Sequence, residues 1–337
     1  MRFYWLLITL IMFNVILFLG DLALGSVDIP LSYFWGSNPA EAQPQWEAIV
    51  WQLRLPRAIT AVLAGAALAV SGLLMQTIFR NPMAGPYVLG VSAGASLGVA
   101  LLMLGSPFVA GLLHAAWAGQ LSTMLAAWAG TLAVLMLILA VSLRIRSAVT
   151  ILIIGMMFGS GVSALVNLLQ YFGSEAAVKS YVVWTMGSLG KLALHELPLV
   201  AFIVAGGLFV ALFLSKPLNL MLLGEHYAST LGVPVLGVRM GVFVLTSLLT
   251  GTITAFCGPI SFIGIAVPHI ARLVFRESRH QRLTPAVILT GSAIMLISDM
   301  ASKLPGSANS LPINTVTSLI GVPVIIWVIV KRKNWNV

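Results

Sequence analysis

The stretch that most limits how this chain can fold is the apolar run from Cys257 to Phe275, broken by Gly258-Pro259, Gly264 and Pro268-His269 and giving way to Arg272, Arg276, Arg279, His280 and Arg282. Breaks of that kind free backbone N–H and C=O groups. Hydrocarbon offers no water to replace the lost partners, so such a segment persists only against neighbouring protein or a wet cavity. The run predicts a membrane helix made for contact with other helices rather than with lipid.

The rest of the chain supports a membrane setting. Of 337 residues 59% are hydrophobic and only 8% charged, against about a quarter charged in ordinary domains, and the mean hydropathy is +1.03. A span takes roughly 20 apolar residues, so the chain has room for about eight to ten passes and no sizeable soluble domain. The expectation is an all-α polytopic membrane protein, a single transmembrane domain over 1–337. Apolar runs between charges and Pro/Gly clusters mark ten segments, near 3–20, 56–79, 87–104, 118–142, 148–172, 197–215, 238–256, 257–275, 284–303 and 312–330. Between Gly173 and His195, the run Tyr181 to Gly187 is too short to cross and too apolar for an exposed loop. It reads as a short helix dipping back into the bundle. The first apolar run, from Met1-Arg2 to Gly20 with small residues at Ala23-Leu24-Gly25, is long for a signal peptide and is expected to be retained.

Ten spans put both termini on one side, and the positive-inside rule chooses it. Arg2, Arg80, Arg144, Arg146, Lys216, Arg239, Arg272, Arg276, Arg279, Arg282, Lys331, Arg332 and Lys333 fall on one side. Arg54, Arg57, Lys179, Lys191 and Lys303 fall on the other. Both termini are therefore expected to be cytoplasmic. Acids run the opposite way, with Asp21, Asp28, Glu41, Glu47, Glu175, Glu196 and Asp299 outside or near it. Topology accounts for the net charge of +9, and nucleic acid is not needed as a partner.

Catalytic signals are missing from the pattern. Gly187-Ser188-Leu189-Gly190-Lys191-Leu192 lacks the first Gly of a phosphate loop at the required distance and has Leu where Ser or Thr must hold magnesium. His114, His195, His226, His269 and His280 show no zinc-protease spacing, and no metal or cofactor is expected. Cys257 is the only cysteine, which excludes an internal disulfide. Asp299 is the one plausible buried carboxylate and lies four residues before Lys303, on the same helical face. A proton-driven carrier is expected to hold ionisable groups at mid-membrane, so their scarcity points to an energy source outside this chain. Gly90, Gly94 and Gly98, then Gly155, Gly159 and Ser163, have the spacing of close helix contacts.

Two further segments stay ambiguous on residues alone. Leu223 to Val233, bracketed by Gly224 and Gly232, carries Glu225 at a helix start and an apolar edge of Tyr227, Ala228 and Leu231. It suits either a connector on the membrane surface or a contact for a partner. Arg54-Leu55-Pro56-Arg57 sets Pro56 at a helix start, with two arginines that are either snorkelling anchors or a charged contact.

Several ordered motifs then bear on the choice: Gly72-Leu73-Leu74-Met75-Gln76, Arg80-Asn81-Pro82-Met83-Ala84-Gly85-Pro86, Leu89-Gly90-Val91-Ser92-Ala93-Gly94-Ala95, Trp184-Thr185-Met186-Gly187-Ser188-Leu189, Gly258 to Gly264, Val267 to Arg272, and Leu311 to Thr317 through Gly321-Val322-Pro323. Together and in order they resemble the permease subunits of the iron-siderophore, haem and vitamin B12 family of bacterial ABC importers. Asn314 stands where that family usually has Gly, and Lys303 where Arg is more usual.

The resemblance implies a type II ABC importer permease in the bacterial inner membrane, itself non-catalytic, working as a homodimer or a heterodimer with a relative. Its partners would be two ATP-binding cassette subunits, a periplasmic or lipid-anchored substrate-binding protein, and membrane lipid. It implies that Gly224, Glu225, Ala228, Leu231 and Gly232 couple to the ATPase and that Arg54, Arg57 and Lys303 receive the binding protein. The translocation path is expected near the fifth span and the Tyr181–Gly187 segment, with Trp184, Met186 and Gly187 named from it. The cargo would be an iron chelate, with vitamin B12 the alternative in the same family. A secondary transporter acting alone is the rival from another class.

Overall fold

The computed structural model describes residues 2–25, 27, 29, 44–87, 90–105, 120–145, 148–303 and 310–332. Met1, Asp28, Glu41, Leu89, His114, Arg146, Lys333 and the start of the expected fourth span, 118–119, lie outside the described residues. The elements are helical: α1 (Arg2–Ala23), α2 (Leu55–Ile78), α3 (Val91–Leu104), α4 (Gln120–Arg144), α5 (Ala148–Phe172), a short α6 (Glu175–Thr185), α7 (Leu197–Phe213), α8 (Ser215–Leu222), α9 (Glu225–Thr230), α10 (Val235–Cys257), α11 (Ile263–Phe275), α12 (His280–Ser302) and α13 (Ile313–Arg332). Helical turns over Pro44–Ala48 and Ile49–Arg54 lead into α2.

A helix sits at each of the ten expected places, but they are not alike. At ~1.5 Å per residue, α1, α2, α4, α5, α10 and α12 are long enough to cross a bilayer, whereas α3 and α11, with 14 and 13 residues, are not. The expected span from Cys257 is corrected here. Residues Gly258 to Phe262 leave the helix, with Gly258 at φ 76° and Phe262 at φ 67°, and α11 starts only at Ile263. The segment after α5 is α6, with Tyr181 and Trp184 buried. The span near 197–215 continues into α8 after a 53° bend.

The core is built on α2, which packs between α10, α11 and α12. Small residues make this possible. A methyl placed on Gly72 would lie 1.7 Å from the Gly264 carbonyl oxygen, and one on Gly65 would lie 2.2 Å from that of Gly291. The backbones touch at both points, as van der Waals-driven association in lipid favours. Gly94 and Gly98 of α3 meet Gly130 and Ala126 of α4, while Gly90 faces Gly155 and Gly159 of α5. The two small-residue stripes therefore meet, and α3 is clamped between α4 and α5.

Antiparallel pairing of α2 and α12 sets the two ends of the bundle. At one end Arg57 meets Asp299. At the other, Thr77 Oγ1 lies 2.8 Å from His280 Nε2, whose Nδ1 lies 2.8 Å from Asn219 Oδ1 of α8, and Arg272 Nη1 donates to Gln76 Oε1 at 2.7 Å.

Candidate functional site

At the Arg57 end, two acids and two cations form one cluster. Arg57 Nε donates to Asp299 Oδ1 and Oδ2 at 2.8 and 3.0 Å, and its Nη2 donates to Ser302 Oγ at 2.7 Å. Lys303 Nζ is 3.0 Å from Asp299 Oδ2 and donates to Asp21 Oδ1 at 2.8 Å and to the Asp21 carbonyl at 2.9 Å. Both carboxylates are wholly buried, which demands such pairing. Asp21 Oδ2 is left without a partner among the described residues. Arg54 is engaged elsewhere: Nη1 donates to the Leu22 and Ala23 carbonyls at 2.8 and 2.7 Å, and Nη2 to that of Val27. A cation there suits the C-terminal dipole of α1. The three cations named in the sequence thus share one end but not one exposure. Arg57 has a side chain 20% exposed, against 8% for Lys303 and 5% for residue Arg54.

A cavity of about 780 Å³ opens along α5. Its wall includes Ser96 of α3, Ser163, Asn167 and Gln170 of α5, Thr185 of α6 and Asn314 of α13, and none of its lining residues is charged. Trp184, Met186 and Gly187 are not in that wall. Trp184 is buried and turned toward α10, its Nε1 donating to the Ala255 carbonyl at 3.2 Å, and Gly187 makes the φ 76° turn that ends α6. Their neighbours Tyr181, Val182 and Thr185 line the cavity instead. The sequence pointed to the Tyr181–Gly187 segment and the fifth span, without showing which of their faces borders a cavity. It offered Ser163 only as a helix-contact residue and did not single out Ser160, Asn167 and Gln170, although polar residues spaced three, four and three apart on an apolar helix are a readable stripe.

The cavity floor is tied to the helix break. Ser188 N–H donates to the Cys257 carbonyl at 2.8 Å, Ser261 N–H to Asn314 Oδ1 at 3.1 Å, and Asn314 N–H to the Met186 carbonyl at 3.4 Å. These bonds answer the need of a broken membrane helix for internal partners. They join α6, α10, α11 and α13 at one point.

The Gly224–Gly232 segment lies at the other end. Gly224 at φ 121° and Gly232 at φ 82° turn the chain sharply on either side of α9. Ala228 is buried, Glu225 pairs with Arg239 of α10, and Leu223, Tyr227 and Leu231 are exposed, Leu231 to 62%. Glu277, in the neighbouring α11–α12 turn, is slightly desolvated, which opposes its ionisation. The Arg279 N–H, the Arg282 guanidinium and the Ser278 N–H nevertheless hold its carboxyl below the usual range.

The chain matches the FecCD transport family over residues 10–331. It is 36% identical over 288 residues to the vitamin B12 import system permease protein BtuC of Klebsiella pneumoniae, covering 85% of this chain and 84% of that one. The protein of the same name from Escherichia coli O9:H4 is 34% identical over 294 residues, covering 86% of each. A solved ABC transporter of the metal-chelate type, in an inward-facing conformation, superposes with a TM-score of 0.81 at 29% identity, over 97% of this chain and 99% of that one. PsaBC from Streptococcus pneumoniae shares the fold at a TM-score of 0.54 and 16% identity, over 81% of this chain and 89% of that one.

Proposed function

This chain belongs to the FecCD transport family and is a multi-pass inner-membrane permease of an ABC importer, and from that premise we propose that it carries a large metal chelate, with vitamin B12 the leading cargo. The uncharged cavity along α5 carries the reading. Its hydroxyls and amides suit a bulky solute that presents polar groups around its edge, and they hold it weakly enough to let go, as a pathway must. The relatives' names put cobalamin first. The iron chelate expected from the motifs, a siderophore or haem, stands second, supported by the likeness to a transporter of the metal-chelate type.

The working assembly in this reading is two permease subunits with α5 and the cavity at their interface, two ATPase subunits on the cytoplasmic side and a binding protein outside. Both termini are cytoplasmic. The permease does no chemistry of its own. The exposed edge of Leu223, Tyr227 and Leu231 docks in the ATPase, and movement passes from α9 through the Glu225–Arg239 pair to α10. The far end of α10 is the tied break at the cavity floor, so the lever and the path share one helix. The test is uptake into proteoliposomes holding permease, ATPase and binding protein, with labelled cobalamin, ferric siderophore and haem in parallel. ATP-driven accumulation of cobalamin alone is expected. Accumulation of only an iron chelate moves the second reading to first, and ATP-independent uptake by the permease alone refutes both.

A further inference from the structure

At the end where α1 and α12 begin, three arginines stand where a helix least favours them. Arg2 opens α1, Arg279 is the N-cap of α12 and Arg282 lies in its first turn, and neither first turn holds an acid. The dipole at a helix N-terminus repels cations. Arg272 and Arg276, in the last turn and at the C-cap of α11, are by contrast accounted for by the C-terminal dipole of that helix. The acids on this side do not balance the charge, since Glu225 is paired with Arg239 and Glu277 meets Arg282 alone, at 3.1 Å. We propose that the compensating charge is the phosphate of an anionic phospholipid, held by Arg2, Arg279 and Arg282 in the notch between the two helix starts. The leaflet, the cytoplasmic one, rests on the orientation given to the importer above.

Packing brings these starts together. Arg282 Cζ lies 5.6 Å from the centre of the Phe3 ring, within cation–π range, and the same ring is 5.6 Å from that of Phe275 at the end of α11. Phe3 therefore fills the join of α1, α11 and α12, and Arg2 is its neighbour in the chain. The guanidiniums are open to a ligand. Arg2 and Arg279 are exposed and have no side-chain partner among the described residues, and Arg282 keeps 49% of its side chain exposed beside Glu277. The planar fork of each matches two phosphate oxygens.

A lipid rather than a soluble anion follows from α1. Of its most apolar stretch 11% is buried, and Tyr4 and Trp5, 60% and 69% exposed, come directly after Phe3. Exposed rings of that kind mark the polar boundary of a bilayer, so the arginines sit at headgroup level. Trp5, Ile8, Met12 and Ile16 continue outward at helical spacing and offer an acyl chain an open apolar track beneath the headgroup. Basic residues between helices at this surface attract anionic headgroups.

The test titrates the full-length permease in detergent with dioleoylphosphatidylglycerol or dioleoylphosphatidylcholine and counts bound lipid by native mass spectrometry. The unaltered protein should bind the anionic lipid at least about tenfold more tightly. R279Q combined with R282Q should lose about tenfold of that affinity, and R276Q should stay within about twofold of the unaltered protein. Because the double variant also removes the contacts to Phe3 and Glu277, R2Q, which breaks no recorded side-chain contact, is the second probe and should weaken binding severalfold. Equal affinity for the two lipids, or a loss with R276Q as large as with R2Q, overturns the site. Displacement of the lipid by excess inorganic phosphate would make it a site for soluble anions and refute the lipid. Unchanged lipid affinity in the double variant, with copurifying ATPase lost, would give these arginines to the ATPase instead. Binding in detergent is blind to sidedness, so an error in the orientation would exchange the leaflet and leave these affinities as they are.

Discussion

α2 and α5 are nearly the same length and similarly rich in apolar residues, and both carry several small ones, yet in α2 and its lead-in 83% of the most apolar stretch is buried within the chain, and in α5 only 11%. Glycine does not mean the same thing in the two. In α2, Gly65 and Gly72 press against the backbones of Gly291 and Gly264, whereas Gly161 of α5 has nothing within 4 Å of where a methyl would stand. The polar stripe Ser160, Ser163, Asn167 and Gln170 shows that the open face of α5 is not simply a lipid face. A small residue thus marks closeness in α2, while in α5 it marks closeness at Gly155 and Gly159, which meet Gly90, and room at Gly161; only the opposing surface tells which.

The largest effect is expected from Gly72→Val, which forces α2 away from α11. Overpacking at a backbone contact should cost more than about 3 kcal/mol and abolish folded protein. Monodisperse material in fluorescence-detected size exclusion would show the contact to be soft. Next, Leu231→Asp sets a charge into the proposed ATPase contact. Copurifying ATPase should be lost, while the thermal stability of the permease alone changes by less than about 0.5 kcal/mol because the residue is exposed. Normal stoichiometry with normal uptake would return this segment to a mere connector.

A smaller change is expected in the cavity. Asn167→Leu with Gln170→Leu should lower uptake about tenfold, the worth of two modest hydrogen bonds, without altering yield or melting temperature. A fall in yield instead would mean these side chains hold the fold. The smallest effect belongs to Gly161→Ala, which should stabilise the permease by up to about 1 kcal/mol through helix propensity. A marked loss of dimer in native mass spectrometry, with the subunit intact, would place a partner helix against Gly161.

Much of the helix layout was legible because apolar length and charge are local properties. The ten helical positions follow from them, as does the Asp299–Lys303 pair four residues apart. Partners hundreds of residues away are not local. Arg57 finds Asp299 across 242 residues and Lys303 finds Asp21 across 282. Arg54 and Lys303 therefore read as outward charges in sequence and face inward in the structure. The break after Cys257 was visible as Gly-Pro, but where the helix resumes depended on bonds from Ser188 and Asn314 that no spacing encodes. Which residues of the Tyr181–Gly187 segment face the cavity was not legible for a related reason: Tyr181, Val182 and Thr185 line it while the Trp184 ring fills the core.

The separation of Asp21 from Lys303 also has a meaning in time. At ~5–20 residues per second, 282 residues of synthesis take roughly 15–60 s. Throughout that interval the carboxylate of α1 has no ammonium, and hydrocarbon is a costly place for it. The end of α1 must wait at the water boundary until α12 has been made and Lys303 has emerged. α1 leaves the ribosome well before α12 and is fastened to it only afterwards.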